Sequence, residues 1–349
     1  MLKRRLLAVF MFLGMLALPL LGAIIKAEHP ISFYFHFPPA IVTVEPEVIW
    51  HALPFFLILP IFYLFLVLFP RCLGFVFSAK IHQPRTSYSS PWWLWFGLVV
   101  VVLFWCMAWL PFTSIRFLRY YSFFPLWVGY VLVVDGLVYR RKGHSLISRN
   151  VVTFVYLFPV SAVLWWLFEY LNRFIQNWVY VGLTDHTSLG YVAYATPAFA
   201  TVLPAILETA EYLGSFAWLN RRYKNGKMLC FGKRAAFVSI LLGVISLFGL
   251  GLWPKYFFVF TWIAPLMILV PLMHIWNPKV SVLTPIAQRG DYRLLIALSL
   301  AGPICGFFWE MWNFFSLVRW EYQIPFVHFA KIFAMPLIGY FGYVPFGWE

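Results

Sequence analysis

Ten stretches of this chain carry almost nothing but apolar side chains, and the polar residues collect between them. The stretches fall at about 6–25, 53–76, 94–112, 122–139, 151–171, 192–213, 235–252, 256–275, 294–312 and 332–349. An α-helix needs about 17 to 25 such residues to cross the roughly 30 Å hydrocarbon core of a bilayer. The pattern therefore predicts an all-α, polytopic integral membrane protein with about ten transmembrane helices. The last stretch holds Pro336, Gly339, Gly342, Pro345 and Gly347. These break or bend a helix unless neighbouring protein satisfies the freed backbone groups, so this stretch reads as a distorted span or a re-entrant segment. The first stretch follows Lys3, Arg4 and Arg5 in the manner of a signal peptide. It is long enough to span, and no small-x-small cleavage site follows it, so a retained first helix is expected.

Composition agrees with the pattern. The chain has 349 residues, 63% hydrophobic and 11% charged, with a mean hydropathy of +0.82; soluble domains carry about 25% charged residues. The net charge of +14 does not indicate nucleic acid, because the basic residues sit between apolar runs, where they orient helices. With the N-terminus inside, 19 of the 26 Lys and Arg residues fall on that side. Both termini are then expected in the cytoplasm, with the chain in a bacterial cytoplasmic membrane. Cys72, Cys106, Cys230 and Cys305 are far apart and form no CxxC motif, so they read as packing residues. The eight histidines show no metal-binding spacing, no redox cofactor is selected, and no phosphate loop, dinucleotide fingerprint or Gly-x-Ser-x-Gly is present.

The chain repeats itself. LFEYLNRFIQNWVY (167–180) and FWEMWNFFSLVRWEY (308–322) share a glutamate, an asparagine three residues on, and an aromatic-rich stretch ending Trp-x-Tyr. Glu169 and Glu310 are 141 positions apart, and Pro125 and Pro265, near the starts of two earlier runs, are 140 apart. Four runs separate the copies, so both copies point the same way. Two parallel four-helix repeats are predicted, 94–234 and 235–349, after a two-helix extension at 1–93, related by an axis along the membrane normal.

Glu169 and Glu310 fall near the outer ends of their helices, on the unfavourable side of the helix dipole. Asn172 and Asn313 share their faces and are placed to hydrogen-bond them. Intramembrane acids are functional candidates because inserting one costs roughly 2.5 to 3.5 kcal/mol; the bland alternative is an interfacial anchor paired with Arg173 or Arg319. Glu208 and Glu211 share one face of the helix that ends the first repeat, where Arg221, Arg222 or the adjoining basic loop offers partners. The second repeat has Tyr340 and Tyr343 there instead. Asp135 and His274 lie at inner helix ends, where a solvated or loop-paired role is expected. Trp165, Trp166, Trp178, Trp309, Trp312 and Trp320 surround the Glu and Asn pairs and are candidates for the wall of an apolar cavity.

The sequence of acid, Asn, Trp-x-Tyr, then a proline followed by acids, in FEYLNRFIQNWVY with LPAILETAEYL and more loosely in WEMWNFFSLVRWEY with MPLIGYFGYVPF, resembles the small membrane carotenoid (lycopene) cyclases. That family has adjacent acids directly after the proline. Here they stand four and seven positions on in one copy and are missing from the other. The resemblance implies an apolar isoprenoid or membrane-lipid substrate and acid-initiated cyclisation. Glu169 or Glu310 would give the proton, Asn172 or Asn313 would orient it, and tryptophans would face the cation. The competing expectation is a non-enzymatic transporter or scaffold subunit working with other membrane proteins.

Overall fold

The computed structural model describes residues 2–42, 48–77, 87–110, 116–183 and 186–348, without the side chains of residues 2–8 and 52. Lys80, Arg85 and the side chains of Lys3, Arg4 and Arg5, which enter the charge count, lie outside the described residues.

The apolar runs become helices α1 (Leu2–Lys26), α2 (Leu53–Leu68), α3 (Trp92–Trp109), α4 (Phe123–Lys142), α5 (Val151–Ile175), α6 (Ser188–Ala200), α7 (Val202–Gly214), α8 (Lys233–Leu252), α9 (Phe260–Trp276) and α10 (Arg293–Phe314). Among the described residues, seven segments are long and apolar enough to cross a membrane: α1, α3, α4, α5, α6 continued by α7, α8 and α10. The chain is an all-α, multi-pass integral membrane protein. Helices α2 and α9 have 16 and 17 residues. At 1.5 Å per residue they reach about 24 to 26 Å, short of a full hydrocarbon core.

Two departures from the sequence pattern shape the site. Strands β1 (Trp178–Val181) and β2 (Arg319–Tyr322), which follow α5 and α10, pair into an antiparallel ribbon. The stretch from 332 to 348 is not one spanning helix. Strands β3 (Lys331–Ile332) and β4 (Met335–Pro336) form a small hairpin, followed by a 3₁₀ turn (Leu337–Gly342) and a short helix (Tyr343–Phe346). Pro336 stands in extended backbone at the start of that turn. The tail packs back against α10, which is what its proline and glycine content favours.

Helices α3 and α4 pack as one pair and α8 and α9 as another, while α7 crosses α10. The main core runs through α4, α7, α10, the ribbon and the tail, with Trp127, Phe168, Trp309, Trp312 and Phe346 buried in it. Helix α1 is bound to α8 by close backbone contact. A Cβ on Gly251 would overlap the Pro19 carbonyl, and one on Gly22 would overlap the Phe248 carbonyl. Small residues that let backbones meet are a main source of helix association in lipid, where the hydrophobic effect between helices is weak. Gly251→Leu is therefore expected to detach α1 and cost about 3 kcal/mol. Thermal unfolding in detergent measures this, and an unchanged midpoint would refute the close crossing.

Candidate functional site

The ribbon joins the strands that follow the C-terminal ends of α5 and α10. Trp178 lies opposite Tyr322, Tyr180 opposite Trp320, and Val179 opposite Glu321. Exchanging the strands leaves this register unchanged, so a local two-fold axis passes between Val179 and Glu321. Side chains alternate along a strand, and the Trp-x-Tyr spacing turns both aromatics of each strand to one face.

The asparagines fasten each strand to its helix. Asn172 donates from Nδ2 to the Trp178 carbonyl (2.7 Å) and accepts from its backbone N–H (3.3 Å). Asn313 does the same to Trp320, at 2.8 Å and 2.8 Å. The second copy has one more residue between asparagine and tryptophan, which changes the offset from 141 to 142 and leaves the bonding pattern intact. The asparagines therefore hold the ribbon and do not bond the glutamates, as their helical spacing had led us to expect.

Each glutamate collects three ring donors on one oxygen. Glu169 Oε1 accepts from Tyr180 Oη (2.6 Å), Trp178 Nε1 (3.0 Å) and Trp165 Nε1 (3.0 Å). Glu310 Oε1 accepts from Tyr322 Oη (2.6 Å), Tyr343 Oη (2.7 Å) and Trp320 Nε1 (3.3 Å). Both carboxyls are buried, and Glu310 Oε2 is buried with no hydrogen-bond partner among the described residues. In the ribbon, burial first and the neighbouring carboxyl second push the Tyr180 and Tyr322 hydroxyls well above their ordinary range. They therefore remain hydrogen-bond donors wherever the protein is folded. The third donor differs between copies by an exchange of position. Trp165, four residues before Glu169, corresponds to Gly306, and a Cβ there would lie 2.5 Å from Tyr343 Cε2. Glycine thus leaves room for a tyrosine from the tail to take the place of the missing indole.

Between the two networks lies a chamber of about 90 Å³, walled by Trp165, Trp178, Trp262, Trp309, Trp320, Tyr180, Tyr322 and Tyr343, with Phe123 and Phe199. Rings from helices outside the recurring motif complete the walls. Trp262 of α9 stacks on Trp178 (5.4 Å between centroids, 22°), and Phe123 of α4 meets Trp320 edge-on (5.6 Å, 87°). Its one charged wall residue among those described, Arg319, is bonded to Glu321 at 2.8 Å. The acids stand one ring behind the wall and set the orientation of the rings.

The other candidates stand elsewhere. Trp166 bonds Thr196 (3.1 Å) and packs against Tyr191 and Phe199, and Trp312 is buried among Trp105, Trp127 and Phe308. Neither lines the chamber. Glu208 lies six residues along α7 from Val202, which does line it. Its carboxyl faces Asp135, which is held by Trp93 Nε1 (2.9 Å) and the Ile147 N–H (3.0 Å). Glu211 pairs with Arg149 (2.7 Å) and Lys142 (3.3 Å), and not with Arg221 or Arg222. Arg319 bonds Glu321, and Arg173 donates to the His36 carbonyl, so neither forms the expected ion pair with Glu310 or Glu169. Trp262, Tyr191 and Tyr194 are wall residues that sequence reasoning missed, because they belong to segments outside the repeated signature. Among the described residues no group of His, Cys, Asp or Glu is placed to hold a metal ion. No family model, curated protein or solved structure matches this chain.

Proposed function

We propose that this protein holds the unsaturated end of an apolar isoprenoid, or of a lipid of similar character, in the aromatic chamber and catalyses an acid-initiated cyclisation of it. The observation that carries the reading is a chamber faced by aromatic rings and placed between two buried carboxyls that fix those rings. Ring faces stabilise a carbocation and exclude water from it. At about 90 Å³ the chamber has room for the branched end of such a chain and not for the whole of it. The unpartnered Oε2 of Glu310 is the position for the reactive proton. Delivery requires Tyr322 or Tyr343 to swing aside, since these rings separate the carboxyl from the chamber. The proton adds to the terminal alkene, the cation closes a carbon–carbon bond, and a carboxylate takes a proton back. The sum is an isomerisation.

The same reading includes two parallel repeats, 94–234 and 235–349, after the extension 1–93. Its support is the two-fold register of the ribbon, the matched helix pairs α3–α4 and α8–α9, and the exchange of Trp262 and Phe123 across the centre. In this arrangement the termini face the cytoplasm of a bacterial cell and the ribbon lies outside.

The test is expression in an isoprenoid-producing host, followed by extraction of the purified chain. Wild-type protein is expected to carry a bound polyene or isoprenoid. Glu169→Gln with Glu310→Gln should reduce its conversion by about a hundredfold or more at normal expression. An unchanged isoprenoid profile in both single variants and the double variant would sink the enzymatic reading. A stoichiometric partner subunit with unconverted polyene would instead support a scaffold.

A further inference from the structure

The twin acids differ in their surroundings on the side away from the chamber. Behind Glu169 is a second, smaller cavity of about 30 Å³, lined by Glu169, Asn172, Arg173, Gln176 and Tyr191 and, from the loop after α1, by residues 38–41. It shares Trp178, Tyr180, Leu183 and Tyr191 with the aromatic chamber, so Glu169 stands in the partition between them. A water site needs about 10 to 15 Å³ and two to four polar partners, and this cavity has both. Tyr191 is fully buried, and its hydroxyl has no hydrogen-bond partner among the described residues. Such an orphan is destabilising if nothing satisfies it.

The closing loop is clipped to the end of α5. Gln176 accepts from the Val42 N–H (2.8 Å) and donates to the Ala40 carbonyl (3.1 Å), while Arg173 bonds the His36 carbonyl. Ile41 and Val42 are exposed, so this loop separates the cavity from the aqueous phase at the ribbon end. The charged or titratable groups facing Glu169 are Arg173 from its own helix, Tyr180 from the ribbon and Tyr191 from α6; the loop contributes prolines and backbone.

The surroundings of Glu310 differ. At the positions of Arg173 and Gln176 the second copy has Phe314 and Leu317, and the ring of Tyr343 fills the space over Gly306. We propose that the cavity behind Trp178 and Tyr180 is a hydration site through which the Glu169 carboxyl exchanges its proton with water at the ribbon end, while Glu310 is sealed. The exchange is a plain proton transfer: one proton leaves the carboxyl for cavity water and one returns from the aqueous phase. This assigns the twins different duties within the proposed function, with Glu169 the acid that can be reloaded and Glu310 the acid kept dry.

The experiment uses the full chain in lipid, with no isoprenoid added, and follows the carboxyl stretching bands by infrared spectroscopy as water is replaced by deuterium oxide. Glu169→Gln and Glu310→Gln assign the bands. The Glu169 band is expected to shift about tenfold or more faster than the Glu310 band, because a sealed group exchanges only when the fold opens locally. The near-isosteric Tyr191→Phe, which keeps the packing, should slow the Glu169 band toward the Glu310 rate. Equal rates, a faster Glu310, or a Glu169 with no protonated-carboxyl band would each overturn the proposal. Failure to find a bound isoprenoid would overturn the proposed function and leave this readout unaffected.

Discussion

Gly306→Ala is expected to unseat Tyr343 from Glu310 and destabilise the protein by about 2 kcal/mol or more. Two effects of opposite sign compete at this position. Alanine is favoured over glycine inside a helix by up to about 1 kcal/mol, and at an exposed site that would decide the outcome. Here the new methyl would stand 2.5 Å from Tyr343 Cε2, and the ring cannot retreat freely because its hydroxyl is bonded to Glu310 at 2.7 Å and it packs against Trp309. Overpacking of this kind costs about 1 to 3 kcal/mol, and losing a hydrogen bond to a buried carboxyl adds about 1.5 to 3, so the clash wins. Chemical or thermal unfolding in detergent supplies the measurement. Adding Tyr343→Phe to the alanine variant should cost much less than Tyr343→Phe alone, since the hydroxyl has already lost its partner. The exchange between copies adds a harder test. Gly306→Trp with Tyr343→Ala rebuilds the arrangement around Glu169, where an indole four residues before the acid donates to it, and the pair should be more stable than either single change. A neutral Gly306→Ala, or a pair no better than its parts, would show that Tyr343 does not occupy the place of Trp165.

The membrane class was readable from the apolar pattern, because lipid imposes an apolar length on every span, and the paired signature from the recurrence of one motif at a fixed offset. Glu169, Asn172, Glu310 and Asn313 were located by that spacing and do converge on one site. The partners of the two asparagines were misjudged for a physical reason. Helical periodicity puts an asparagine beside the acid three residues earlier, but it gives no information about a strand that begins beyond the helix end. The backbone of Trp178 and of Trp320 offers a donor and an acceptor together, which suits a primary amide better than a carboxylate does. The ribbon was illegible because its two strands have four residues each and pair across a long separation in the chain. The chamber wall was only partly legible, since Trp262 and Tyr191 arrive from helices whose contacts depend on how the halves are assembled. The tail was foreseeable as irregular from its prolines and glycines, but nothing in its pattern says that Tyr343 will reach a carboxyl 33 residues earlier.

Asn172→Leu and Asn313→Leu should cost nearly the same, about 2 to 6 kcal/mol each, because each removes both partners of a buried backbone N–H and C=O at about 1 to 3 kcal/mol per orphaned group. Their equality follows from the two-fold register and not from local sequence, which differs around the two sites: Arg173 follows one asparagine and Phe314 the other. The double variant separates two pictures of the ribbon. If each strand were held only by its own helix, the two costs would add within about 0.5 kcal/mol. If the strands hold each other through the pairs Trp178–Tyr322 and Tyr180–Trp320, freeing one already loosens the other, and the double variant should fall short of the sum by about 1 kcal/mol or more. Near-ultraviolet circular dichroism gives an independent readout, because Trp178 and Trp320 lose their fixed environment when the ribbon melts, even if the helices remain. Asn313→Asp sharpens the point: the carboxylate can still accept from the Trp320 N–H but has no proton for its carbonyl, and it adds a charge one turn from Glu310. It should therefore be no better tolerated than leucine. Costs that are unequal, small or strictly additive would mean that the two halves meet at the ribbon without depending on it, and the site would then be two separate acids and not one paired structure.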